Sequence, residues 1–473
     1  MPIAARTALH ATGCARATAL AAALAAAALA VPARAQPQQV RPPIAHYWVD
    51  LATHTMAGMP EMPDMPGMPP MPGMPGMPGA GATPGAGAGP GAGSAPGGGV
   101  WGQTRHMAMG RHVDLALHTK AKPAGSDATH AIPPGMKMGA SLPLVPVQAP
   151  PRTREPGEPG EDTPEKPRGR ILIYWGCGEA VRPGQPRVID LAGAPSEFGR
   201  AFAGRFAPER GARVGPGHSL WPNERNRIAV PKGASLVGEH AVSGEGVPPA
   251  LRFAIGAAHD LMPPIELAAS GNLAASIALR WAAVPNAHGY FLHAMGGAGD
   301  DLILWSSSET ADSGMGLFDY LSEATSARWV RERVLLAPSQ TSCAIPKGVL
   351  SAARDGAMLR MIAYGGELNL VHPPRPADPR TPWEQQWAVR VRTKSTTMAM
   401  LGEEIEAQSP GASAPAGPAA GPAAGAPGVT GAPGAPSAQS EPAREAPEKP
   451  SAGPIPGLPG LDPGKVLRGI FGR

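Results

Sequence analysis

The chain has 473 residues, of which 62 are glycine and 60 proline; only 4% are aromatic, three are cysteine, and the formal charge is +4. Glycine and proline at this level approach low-complexity composition, so the folded part is shorter than the chain, yet still long enough to bury a core. With Arg6, Arg16 and Arg34 removed in the leader described next, the remainder is close to neutral, which gives no warrant for a nucleic-acid partner or a charged membrane surface.

Residues 1–35 place Arg6 and Arg16 ahead of or within the approach to an apolar run, 17–31, and close on Ala33-Arg34-Ala35. That is the layout of a secretory signal peptide. The run is too short and alanine-rich for a durable membrane span, and Cys14 precedes the run rather than ending it. Cleavage after Ala35 is expected, leaving a periplasmic or secreted chain without a transmembrane span. The mature chain then keeps Cys177 and Cys343. An oxidising compartment favours a disulfide between them, the alternative being two buried free thiols.

Residues 36–55 carry a first N-terminal strand, and residues 101–147 a second strand followed by an extended segment. The two strands share Val-Asp-Leu-Ala-x-His-Thr. Alternation sets Tyr47, Val49 and Leu51 on one face of the first, and Val113, Leu115 and Leu117 on one face of the second. The other faces carry His46, Asp50 and His54, and His112, Asp114 and His118. The pair reads as two half-buried strands of one sheet.

Between them, residues 56–100 form a Met/Pro/Gly-rich loop. Proline at nearly every third position blocks both helix and ladder, so disorder is expected. Met56, Met59, Met62, Met65, Met68, Met71, Met74 and Met77 repeat every third residue. One reading is a flexible spacer. The other is a soft thioether site for Cu(I), the one cofactor this chemistry admits, completed by His46, His54, His112 and His118.

Residues 148–168 are a charged, proline-rich linker. In the central β region, 169–248, the segment 170–179 (RILIYWGCGE) is expected to be a central strand buried on both faces. Further strands are expected at 187–191 and 234–243, with a helical turn or two over 197–206. Cys177 near His218 or His240 lacks the motif context of a thiol enzyme. The chain has no G-x-S-x-G, H-E-x-x-H or phosphate-binding glycine loop, so no catalytic residue is named and a non-enzyme is expected.

Across 249–405 the alternation is cleaner, with strands expected around Ile265, 277–281, 290–295, 302–305 and 360–363, and a helix over 314–336. In the last strand, 387–394, Val389 and Val391 face inward, while Arg390, Arg392 and Lys394 form a basic stripe read as the solvated face of an edge strand. Residues 406–463 are an Ala/Gly/Pro-rich tail expected to be disordered. Within 464–473, Val466, Leu467, Ile470 and Phe471 share one helical face. This segment is either a frayed end or a short docking peptide for a partner or surface.

The stretch IALRWAAVPNAHGYFLHAM (277–295), with a Trp, a proline turn and Ala-x-Gly-Tyr, resembles the second and third strands of fibronectin type III domains. RMIA (360–363) resembles a later strand of that family, with Ala357 where the family usually has tyrosine. The resemblance implies a β-sandwich that binds or spaces, with no catalytic residues. Through YWGCGEAVRPGQPR, WPNER and LRMIAYGGELNL the chain also resembles a family of exported proteobacterial proteins to which no activity is assigned. The fold expected is mainly β: sandwich-type domains, a short helical insertion and long disordered segments. The function expected is a structural or interaction module of the envelope, with an envelope protein or a surface component as partner. The alternative is metal handling by the Met/His-rich region.

Overall fold

A computed structural model describes residues 38–59, 101–105, 108–121, 126–147, 168–192, 204–208, 211–354, 356–402 and 405. In chain order the strands begin with β1 (Val40–Arg41), β2 (Ala45–Met56), β3 (Gly110–Thr119), β4 (Ala128–Ala131) and β5 (Ser141–Pro146). Next come β6 (Arg170–Trp175), β7 (Arg187–Asp190), β8 (His218–Trp221), β9 (Gly238–Gly244) and β10 (Arg252–Ile255). The C-terminal half adds β11 (Leu267–Ser270), β12 (Ile277–Trp281), β13 (Gly289–Ala298), β14 (Asp301–Ser306) and β15 (Ser342–Ile345). The last three are β16 (Ala357–His372), β17 (Trp383–Glu384) and β18 (Trp387–Leu401), and one helix, α1 (Glu323–Arg331), lies before β15.

Two compact units are present. In the smaller, β1 and β17 pair in parallel, Trp383 Nε1 donates to the Pro373 carbonyl, and Arg375 Nε donates to Gln38. All that follows concerns the larger unit.

Its main sheet has thirteen strands in the order β10-β9-β4-β5-β8-β3-β2-β18-β16-β13-β14-β6-β7, and β11-β12-β15 form a second sheet. A sheet this wide does not stay open; it curls or splits into layers to cover its apolar face. Here β18 shows how. Its odd-numbered residues keep one face throughout: Val389 and Val391 join one aliphatic core, while Ala399 and Leu401 join another. Over the first, strands β4, β5, β9 and β10 bring Leu142, Leu144, Val242 and Phe253 onto Tyr47, Val49, Leu51, Leu115 and Leu117. Over the second, the three-stranded sheet brings Leu267, Leu279, Cys343 and Ile345 onto Tyr290, Leu292, Leu359 and Met361. The result is a mainly β, sandwich-like unit.

β2 and β3 are antiparallel neighbours, with Tyr47 opposite Leu117, Val49 opposite Leu115 and Leu51 opposite Val113. The shared heptapeptide therefore makes a shared ladder. The expected disulfide is present: Cys177 and Cys343 bond at an S–S distance of 2.14 Å with Cα atoms 5.2 Å apart. It ties the turn after β6 to β15 of the second sheet. Backbone bonds from Gly178 to Ala344 and from Lys347 to Glu179 flank it.

Three expectations need correction. The segment 170–179 is not central: β6 has only β7 beyond it, and Ile171 and Ile173 are buried while Leu172 and Tyr174 are half-buried. Its unbroken apolar run reflects packing on two unequal sides. Of 314–336, only Glu323–Arg331 is helical. Ser322 caps it by accepting from the Thr325 amide, and Arg333, at φ 58°, stops any continuation. Most consequential, β18 is not an edge strand but lies between β2 and β16. The expected helical turn at 197–206, the leader, the linker and the tail fall wholly or largely outside the described residues.

Candidate functional site

The even-numbered residues of β18 face away from the aliphatic cores, toward a covering segment that runs from Ser313 through α1 to Leu336. Over β13 and β16 this cover is apolar: Leu317, Leu321, Trp329 and Val334 pack on Phe291, Ile362 and Tyr364. Over β18 and β2 the chemistry changes sign. Parallel pairing puts Asp50 beside Arg392, and antiparallel pairing puts Asp114 beside Asp50. An Arg–Asp–Asp row thus crosses three strands beneath the cover.

Arg392 is 1% exposed and Lys394 2%. The Arg392 Nε donates to Asp50 Oδ1 at 2.8 Å and Nη2 to Oδ2 at 2.5 Å, a bidentate pair. Asp114 accepts from the amides of Gly102, Gln103 and Thr104 at 2.9, 3.2 and 2.8 Å, and from the Thr104 hydroxyl at 2.6 Å. The cover supplies Tyr320, whose ring lies 4.3 Å from the Arg392 guanidinium and 4.4 Å from Lys394 Nζ, and whose hydroxyl donates to the Leu51 carbonyl. Arg360 lies 4.0 Å over the Phe318 ring. From the other side Gly211 closes the row; a Cβ there would strike the guanidinium groups of Arg105 and Arg392.

Burial governs the protonation states. It pushes the Lys394 amine down to about 8, helped by Arg392 and Arg105 and opposed by Asp319 and Asp50. It pushes Arg360 down to about 10, and it raises Asp114 despite the hydrogen bonds from Thr104 and Gly102. Burial also works against the Asp319 carboxylate, but Lys394, Arg392 and Arg105 outweigh it and hold Asp319 below its ordinary range. Two adjacent buried carboxylates beside an amine resemble acid–base machinery. Here, however, one carboxylate is ion-paired and the other is saturated with hydrogen bonds. The cavity beside Lys394, Arg360 and His54 is about 10 Å³, room for about one water.

Histidines make two further clusters. Beneath β2, β4 and β9 the Tyr47 hydroxyl donates to His130 Nδ1 at 2.9 Å. His130 Nε2 donates to His240 Nδ1 at 3.0 Å, and His240 Nε2 to the Leu236 carbonyl at 2.8 Å. The carbonyl at the end of this relay fixes both tautomers, and burial, which pushes both histidines below their ordinary range, keeps the rings neutral. On the opposite face His46 lies across from His118, and His118 across from His218. The His118 and His218 rings are 4.8 Å apart, and Trp48 flanks both His46 and His218.

Of the sequence-derived metal candidates, His46 and His118 are brought together in this row. His54 and His112 also meet, at 5.3 Å between rings, but face oxygen partners. His54 Nε2 donates to the Thr104 carbonyl and its Nδ1 accepts from Thr396, while His112 faces the Gln103 side chain and the Ala108 carbonyl. Met56 pairs in register with Met398 at the end of β2, and Met59 is exposed. Met62, Met65, Met68, Met71, Met74 and Met77 lie outside the described residues, as do Val466, Leu467, Ile470 and Phe471. The basic stripe of β18 is corrected outright: Arg390 pairs with Glu367 at 2.6 Å, Arg392 with Asp50, and Lys394 lies under Tyr320. Sequence reasoning did not find Tyr320, Arg360 or the His130–His240 relay. The one usable signal for the row was the aspartate repeated at one position in both copies of the heptapeptide.

No family model matches the chain, nor does any curated protein or solved structure.

The buried histidines predict acid sensitivity. His293 donates from Nε2 to the Ser313 carbonyl at 2.9 Å, and burial pushes its pKa from the ordinary 6.5 to about 3. As pH falls below 6.5 the unfolded chain takes up a proton that the folded state refuses. Stability is therefore fully present above 6.5 and is lost at about 1.4 kcal/mol per pH unit for this group alone, down to about pH 3. Asp114, raised in the fold, acts in the opposite sense. The effect is therefore read from a variant: urea midpoints at pH 7 and pH 5 should converge in His293→Gln relative to the parent, and an equal pH dependence in both would refute it.

Proposed function

We propose that the chain is an exported β-sandwich protein that serves as a structural or interaction module of the cell envelope rather than as an enzyme. The observation that carries this reading is the state of the Arg392–Asp50–Asp114 row: the side chains best suited to chemistry are buried, matched to one another and closed over by Tyr320 and Gly211. The Cys177–Cys343 bond suits an oxidising compartment reached by a cleaved leader. Among the described residues no helix is long and apolar enough to cross a membrane. The fibronectin-like resemblance of 277–295 is supported by two facing sheets, with Trp281 of one set edge-on against Tyr290 of the other at 5.6 Å.

The test is complementation. An Asp50→Val/Arg392→Met double variant that is exported and folded should restore whatever envelope phenotype follows deletion of the gene, because the row supports the fold and performs no reaction. A variant equally abundant and equally protected from protease that fails to restore it would return the row to chemistry.

A second reading, metal handling by the Met/His-rich region, is favoured by one observation. His46, His118 and His218 stand in register across three strands, half-buried on one face. In that reading the methionine tract supplies Cu(I) ligands.

A further inference from the structure

His46, His118 and His218 sit at directly opposed positions on β2, β3 and β8. Opposed residues of antiparallel neighbours have Cβ atoms about 5 Å apart, so three in a row span about 10 Å and the outer two can lean toward the middle one. The His118 and His218 rings already meet at 4.8 Å. His46 is stacked on Trp48 at 5.4 Å, and as placed, no three His, Cys, Asp or Glu side chains among the described residues converge on one point. A three-nitrogen face requires His46 to rotate off Trp48 toward His118.

We infer that His46, His118 and His218 form a binding site for a borderline divalent cation of the Zn(II) class, with imidazole nitrogens from three adjacent strands and a fourth position open to water. This deepens the metal-handling reading and rests on it, but it needs none of the methionines. Two features of the row support it. The Gly215 carbonyl accepts from His218 Nδ1 at 3.1 Å, which leaves Nε2 with its lone pair directed outward, the second-layer bond typical of a ligating imidazole. All three histidines are half-buried rather than sealed, unlike His130 and His293. The donor set selects the metal: three imidazoles without carboxylate or thiolate suit Zn(II), Cu(II) or Ni(II) and not Mg(II) or Ca(II), and Zn(II) accepts three histidines plus water at about 2.0–2.1 Å.

The test is Zn(II) titration of the mature, tag-free protein against a chromophoric chelator, in four forms: parent, a deletion of 60–99, His118→Gln and His218→Gln. The expected result is one equivalent bound by the parent, unchanged on deletion of the methionine tract and weakened at least tenfold in both glutamine variants. His46→Gln replaces any variant whose thermal midpoint falls in the absence of metal. Absence of a bound equivalent, or affinity unchanged in the histidine variants, overturns the site. Affinity lost only on deletion of 60–99 also overturns it while leaving metal handling in place through the methionines. Failure of Zn(II) and of Cu(I) in every form would end both.

Discussion

Replacing Cys177 and Cys343 together by alanine should lower unfolding stability by about 5 kcal/mol, the chain-entropy value for a bond that closes a loop of this length. The two cysteines are separated by 166 positions, so the bond restricts the unfolded chain over more than a third of its length. In the fold it links the large sheet, behind β6, to β15 of the second sheet, and so crosses the layer that holds Leu279, Tyr290 and Met361. Cys343 is buried in that layer, while Cys177 is half-buried beside it. The parent should show no titratable thiol when denatured without reductant, and the urea midpoint of the double variant should drop well below that of the oxidised parent. Two free thiols in the parent, or an unchanged midpoint, would contradict this.

The β2–β3 pair was legible because its information is local: two copies of one heptapeptide, each alternating, can bury like faces only side by side. The disulfide was legible from the expected leader and the even cysteine count it would leave. The position of β18 was not legible. Alternation separates Val389 and Val391 from Arg390, Arg392 and Lys394 but is silent about what lies over the polar face. A basic stripe facing water and one facing buried carboxylates have the same period. The partner that decides the matter, Asp50, lies 342 positions away, and the cover, Phe318–Tyr320, sat inside a stretch whose apolar spacing looked helical. That spacing serves a different purpose: Leu317, Leu321 and Trp329 hold an irregular cover onto Phe291 and Ile362. The misplacement of β6 has a related cause, since a run of apolar residues reports burial without reporting how many strands lie beyond it.

The second large effect concerns the Asp50–Arg392 pair. Removing one member breaks the bidentate pair and leaves the other charged and buried, which costs about 3–5 kcal/mol, whereas replacing both by apolar residues of similar total volume is near neutral. Arg392→Met takes the bidentate donor from Asp50, which stands in register with the Asp114 carboxylate on β3. Asp50→Val leaves the guanidinium against Tyr320 with its bidentate partner gone. Lys394 and Arg105 are too near to be neutral bystanders, since both already weigh on Asp319.

The charged row is part of the core and not an exposed edge. The double-mutant cycle on Asp50 and Arg392, read by urea unfolding at pH 7, tests it most directly. Each single variant, Asp50→Val and Arg392→Met, should lose about 3–5 kcal/mol, and the double variant should recover most of that loss. Single losses within about 0.5 kcal/mol and no coupling, as an exposed edge pair would give, would contradict it.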